Sequence, residues 1–197
     1  MEFNLVITIS REYGSGGREI GRRVARKLNI PFYDKSVSEL AAIATGLKPE
    51  VIDAFQDRTP TGFDYGAYST GSFVPISDEL FGTQVKIIKK LAEKPCIIIG
   101  RCSDYILRDY PNLVRIFIIA NKEDRIKKIS STYHVTEKEA AKAIKQCDKQ
   151  RAKYHEHYAD TIWGDPHSYD LVVNSSMGID HAVSAILGFL DSINKDQ

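Results

Sequence analysis

Cysteine is scarce in this chain of 197 residues: Cys96, Cys102 and Cys147 are the only three, and no two of them form a C-x-x-C pair. So few, scattered thiols exclude a disulfide framework and favour a reducing compartment. A surplus of one charge sign is missing too, since 27 Lys and Arg face 26 Asp and Glu. No global field draws such a chain onto nucleic acid or an anionic membrane, so neither is expected as a partner and any polyanion site must be local. Uninterrupted apolar residues nowhere approach the ~20 needed to span a bilayer. The opening MEFNLVITIS lacks the basic n-region and long apolar stretch of a secretory signal. Internal repeats and low-complexity segments are absent as well. These absences predict a cytoplasmic protein, folded as one domain over residues 1–197.

What is present is concentrated near the N-terminus. Asn4 to Leu28 reads NLVITISREYGSGGREIGRRVARKL, a short apolar strand, a glycine turn and an amphipathic helix. Ile20, Val24 and Leu28 recur at four-residue spacing and arginines fill most of the other face. A strand that empties through glycines into a helix start aims backbone N–H groups and the positive end of the helix dipole at one point. That is a site for phosphate, and it predicts nucleotide binding.

The same alternation continues along the chain. Ile30 to Asp34 is too short for anything but a strand, followed by a helix around Ser38 to Ala44. Residues 46–82 lose periodicity apart from a helical stretch at Glu50 to Gln56, and predict either a mobile excursion able to cover a ligand or a merely variable surface loop. Ser77 is the expected N-cap of a helix ending at Glu93. Buried strands follow at Cys96 to Ile99 and Leu113 to Ala120, with a short helix, Ser103 to Arg108, between them. A helix is expected from Lys122 to Ser131, with Arg125, Lys127 and Lys128 on its wet side or, alternatively, with Arg125 turned toward bound phosphates. Thr136-x-x-Glu139 has the form of a capping box opening a long helix. The last strand is Tyr169 to Val173, before a closing amphipathic helix. The sum is α/β: a three-layer, five-stranded parallel sheet with flanking helices.

Ligands of open parallel sheets gather at the carboxyl ends of the strands. Gly14 to Gly17, Asp34 and Gly100-Arg101 fall there. Against the Walker A pattern G-x-x-x-x-G-K-[ST], Arg11 stands at the first glycine, Gly17 at the lysine and Arg18 at the hydroxyl residue. A backbone cradle of Gly14, Ser15, Gly16 and Gly17 remains, with Arg11 and Arg18 as sources of the missing positive charge. G-x-G-x-x-G does not occur, which argues against a Rossmann dinucleotide site.

Taken together, ITISREYGSGGREIGRRVARKLNIPFYDK, CIIIGR, VRIFIIANKEDRIKKI, the Asp148-x-x-Arg151 spacing and YDLVVNSS resemble the cytidylate kinase-like family, a branch of the P-loop nucleoside monophosphate kinases. The resemblance implies transfer of the terminal phosphoryl group of ATP, with Mg²⁺, to a nucleoside monophosphate or another small phosphate acceptor. It also implies a monophosphate-binding excursion after Asp34 and a lid over residues 133–165. Within it, Gly14, Ser15, Gly16 and Gly17 would wrap the donor phosphates and Arg101 would clamp the acceptor phosphate. Asp148 would hold the ribose or orient the lid, and Arg151 would neutralise charge on the transferring group. Where cytidylate kinases proper carry lysine, a hydroxyl, a strand-end acid and a base-reading aspartate, this chain has Gly17, Arg18, Ile99 and Cys102. Metal ligands are therefore undefined, with Asp34 the nearest carboxylate to hold a metal through water. A nucleotide-binding or regulatory module with a degenerate Walker A loop is the alternative. Among other residues, His155 and His157 are expected on a solvated or lid surface, Cys102 as a small space-filler and Trp163 as a loop anchor.

Overall fold

The computed structural model describes residues 4–45 and 76–195. Its centre is β1 (Val6–Arg11), where Val6, Thr8 and Ser10 alternate with Ile7 and Ile9 and all five are buried. Burial on both faces requires a near-continuous apolar run and a layer of helices on each side. Both layers are present. On one face Leu5, Ile7, Ile9, Ile97, Ile99 and Ile116 pack with Ile20 and Val24 of α1 (Gly17–Leu28) and with Ala182, Ile186 and Leu190 of the last helix. On the other face Val6, Cys96 and Ile98 meet Val37, Ile88, Ile106 and Tyr154. Full burial of an aliphatic side chain such as Ile7 contributes roughly 1.5–3 kcal/mol.

In chain order the other elements are β2 (Phe32–Tyr33), α2 (Lys35–Thr45), α3 (Ile76–Leu91), β3 (Cys96–Ile99), α4 (Ser103–Ile106), β4 (Leu113–Ile119), α5 (Lys122–Tyr133), α6 (Glu137–Tyr158), β5 (Leu171–Asn174) and α7 (Ile179–Lys195). The five strands are all parallel, in the order β2-β3-β1-β4-β5. Among the described residues no helix is long and apolar enough to cross a membrane.

Register opens the crevice. β1 pairs with β3 only as far as Ile9↔Ile99, while on its other side it runs on to Arg11↔Ile118. Ser10 and Arg11 therefore project past the end of β3, at the point where the chain has finished one side of the sheet and crosses to the other. Ligands of doubly wound folds collect at such a point.

Several expectations shift. The helix expected at Glu50 to Gln56, and the excursion over 46–75, lie outside the described residues; 76–82 form the first turns of α3, which places Ser77 inside that helix rather than at its cap. The short helix after Cys102 ends at Ile106, two residues early, and α5 runs on to Tyr133. The capping box forms as read: the Thr136 side chain accepts from Glu139 N, and the Glu139 side chain accepts from Thr136 N.

Candidate functional site

Gly14 and Gly16 have φ of +86° and +80°, left-handed values that a side chain would strain. They bend residues 12–16 into a loop that delivers the chain into the first turn of α1. Ser15 is turned inward: its Oγ donates to the Glu12 carbonyl at 2.9 Å, and Ser175 Oγ donates to the Ser15 carbonyl at 2.6 Å. Its N–H also donates to the Glu12 carbonyl at 3.3 Å, so Ser15 closes the loop from within and does not line the cleft.

α5 and α6 press on this loop from one side, through a guanidinium. Arg125 is 6% exposed; its Nη1 pairs with Glu12 Oε1 at 2.8 Å, its Nε donates to the Tyr13 carbonyl at 2.8 Å, and its Nη2 pairs with Asp148 Oδ2. The other Asp148 oxygen accepts from Tyr13 N at 2.8 Å, and Glu12 Oε2 accepts from Ala120 N at 3.0 Å. Arg125 is thus not on the wet side of its helix, because two carboxylates and a carbonyl meet it there. Asp148 likewise faces the loop rather than open cleft. Tyr13 sits between the helices with its phenol pushed up to about 12, first by burial and then by the neighbouring Tyr133 hydroxyl, with Arg151 pulling the other way.

On the open side of the loop lies a cleft of about 320 Å³, lined among others by Arg11, Gly14, Gly16, Gly17, Arg18, Asp34, Arg101, Lys128 and Arg151. Five cationic side chains face two carboxylates, Glu12 and Asp34, in a protein whose net charge is only +1. The local excess of positive charge fits an anion. Arg151 Nη1 donates to the Arg11 carbonyl at 2.9 Å, and its guanidinium lies 5.5 Å from the centre of the Tyr13 ring. Arg18 Nε pairs with Asp34 Oδ2, a buried oxygen that accepts no hydrogen bond from a described residue. At the end of β3, Gly100, Arg101 and Cys102 have φ of +65°, +61° and +51°. Two consecutive non-glycine residues in this region carry strain of order 1–3 kcal/mol each, the kind of outlier that accompanies a site.

The structure thus brings together all the residues expected at the site except Ser15 and Asp148, which support the loop from behind. Glu12, Tyr13 and Lys128 were not read as site residues, and Arg125 only in the alternative. The available signal was the basic run 125–128 one turn after β4, since α5 lies against Gly14: a Cβ there would come within 3.2 Å of Arg125 and Ile129. One minor expectation fails: His155 is 3% exposed, with Nε2 and Thr161 Oγ1 2.8 Å apart, whereas His157 is exposed as expected, its Nε2 3.7 Å from Asp78 Oδ1. Cys102 fills space as expected, and Trp163 packs edge-on against Phe117 with centroids 5.2 Å apart.

The sequence profile of the cytidylate kinase-like family matches residues 6–177. The chain belongs to the cytidylate kinase-like family. No curated protein matches its sequence. Among solved structures, an uncharacterized protein from Eubacterium ventriosum shares 28% identity with a TM-score of 0.75, covering 95% of this chain and 99% of its own. Shikimate kinase from Bacteroides thetaiotaomicron (15% identity, TM-score 0.57, 95% and 98% covered) and a gluconokinase from Sinorhizobium meliloti (13%, 0.58, 100% and 97%) share the fold. For this cytidylate kinase-like chain, then, family and P-loop kinase architecture stand on independent comparisons.

Proposed function

We propose that the chain is an ATP-dependent phosphotransferase acting on a nucleoside monophosphate or another small phosphate acceptor. The observation that carries this reading is the cationic cleft where the loop after β1, Asp34 after β2 and Arg101 after β3 converge. Backbone N–H groups of Gly14, Gly16 and Gly17 at the start of α1 receive the donor phosphates, with Arg11, Arg18 and Lys128 supplying charge. Arg101 binds the acceptor phosphate. The acceptor oxygen attacks the terminal phosphorus, the bond to the bridging oxygen breaks, and ADP leaves, while Arg151 stabilises negative charge on the transferring group. Asp148 orients the loop and does not touch substrate. Residues 133–165 act as the lid.

Mg²⁺ would come bound to the ATP phosphates, where it needs few protein ligands. Both Glu12 oxygens are engaged, so Asp34, the other carboxylate that lines the cleft, is the one that would hold a water of that ion. When bound, the metal neutralises phosphate charge.

The test is a turnover panel: purified protein, ATP and Mg²⁺ with nucleoside monophosphates and small phosphorylated metabolites. One acceptor is expected above background, and Arg101→Ala is expected to abolish its turnover. A blank panel from folded protein overturns the reading. Gly17 and the inward Ser15 favour a second one, a binding module without turnover; calorimetry showing ATP binding indifferent to Mg²⁺, with no product, would select it.

A further inference from the structure

We infer that Arg11 and Gly17 form one coupled unit: the cation that a Walker A loop places at residue 17 has moved to the end of β1, and residue 17 is glycine because Arg11 occupies its space. The two departures from the pattern are reciprocal, a bulky cation where glycine is usual and glycine where a lysine is usual.

Geometry explains why they come together. Gly17 is the first residue of α1, and its φ is not left-handed, so the backbone does not require glycine there. A Cβ at this position, however, would lie 2.7 Å from Arg11 Cβ and 3.0 Å from Arg11 Cγ. Those atoms are the root of the side chain, fixed to the strand, and they cannot swing aside as a chain end can. Farther out, the same side chain passes Gly100, where a Cβ would come within 2.4 Å of Arg11 Nη1. Arg11 therefore runs from the start of α1 to the end of β3, and it lines both the 320 Å³ cleft and the smaller pocket beside Arg101. Its carbonyl is held by Arg151 at 2.9 Å. A guanidinium between the donor loop and the acceptor corner can bind phosphate oxygens through two parallel N–H groups, which a lysine cannot do.

The cation half of this inference rests on the ATP binding that the phosphotransferase reading includes, whereas the steric half does not, so the experiment has two arms. In the first, unfolding is measured for the parent, Arg11→Gly, Gly17→Ala and the double variant. Gly17→Ala is expected to lower the melting temperature only when Arg11 is present, with a coupling of about tenfold or more in the unfolding equilibrium constant. If Gly17→Ala does not fold, recovery of folding in the double variant supports the coupling. Additive effects overturn it. In the second arm, ATP·Mg²⁺ affinity is expected to fall about tenfold or more in Arg11→Gly, to fall in Gly17→Lys, and to recover in part when both changes are combined. Unchanged affinity in Arg11→Gly overturns the relocated cation. A blank acceptor panel with Arg11-dependent ATP binding would fail the phosphotransferase reading and leave this inference standing. A parent chain that binds no ATP would fail that reading and the cation half together, with the steric half still decided by the unfolding cycle.

Discussion

Arg125 and Arg151 reach the same loop from adjacent helices, and the two guanidiniums have opposite surroundings. Arg125 donates to the Tyr13 carbonyl and pairs with Glu12 and Asp148, with its side chain 7% exposed. Arg151 donates to the Arg11 carbonyl and stacks near Tyr13, and among the described residues no carboxylate pairs with it. One cation is balanced inside the protein. The other keeps its charge at the edge of the cleft, available to an anion. What separates the structural arginine from the ligand-facing one is therefore, beside burial, the carboxylates that neighbouring elements bring to it. Here Glu12 and Asp148 both go to Arg125.

The largest expected effect strikes the balanced side. Removing one partner of a buried ion pair strands the others, so Arg125→Ala should destabilise the fold by about 3 kcal/mol or more, measured by denaturant unfolding. Adding Glu12→Gln and Asp148→Asn should recover part of that loss. A triple variant no more stable than the single one would break the contrast. On the other side, Arg151→Ala should lower turnover by about 10²-fold or more with a melting temperature close to the parent. A fall in stability as large as that of Arg125→Ala would place both arginines in one class.

That contrast also shows where sequence reading stopped. The strands were legible because burial on both faces forces runs such as Leu5 to Ile7 and Cys96 to Ile99 to be apolar, and the crevice followed from which residues end those strands. The position of β2 was not: it pairs with β3, not with β1, since adjacency in the chain does not set adjacency in a sheet. Arg125 was misplaced for a related reason. Periodicity tells which face of a helix a residue occupies, but not that Glu12, from the loop, and Asp148, on α6, will meet it there. His155 is the same case, buried against Thr161 by a turn that no period announces.

A smaller effect sharpens the comparison at Tyr13, which touches both arginines. Burial, and then Tyr133, hold its phenol at about 12 against a usual 10.0, and Arg151 opposes them. Because the folded value lies above the unfolded one, the neutral phenol contributes stability in full below pH 10, and that contribution is lost as pH rises from 10 to 12. Tyr13→Phe should therefore flatten the fall of stability in that window. In an ultraviolet titration, Arg151→Ala should move the Tyr13 transition still higher. Titration of Tyr13 near 10, like an exposed tyrosine, would mean that its burial beside Tyr133 is not held in solution.

The smallest expected effect lies at the far end of α6, which carries both Asp148 and Arg151. Thr136→Ala removes the side-chain oxygen that accepts from Glu139 N and leaves the reciprocal half of the capping box in place. Loss of such a cap costs about 1 kcal/mol. Ala140 and Ile144, the next buried residues, are packed against Ile129, so fraying should stop before the turn that holds Asp148. Stability should drop by that small amount while turnover stays within twofold of the parent. If turnover falls much further, the two arginine sites are not anchored by their local partners but depend on the whole length of α6, and the division between balanced and ligand-facing charge would have to be assigned to the helix rather than to the residues.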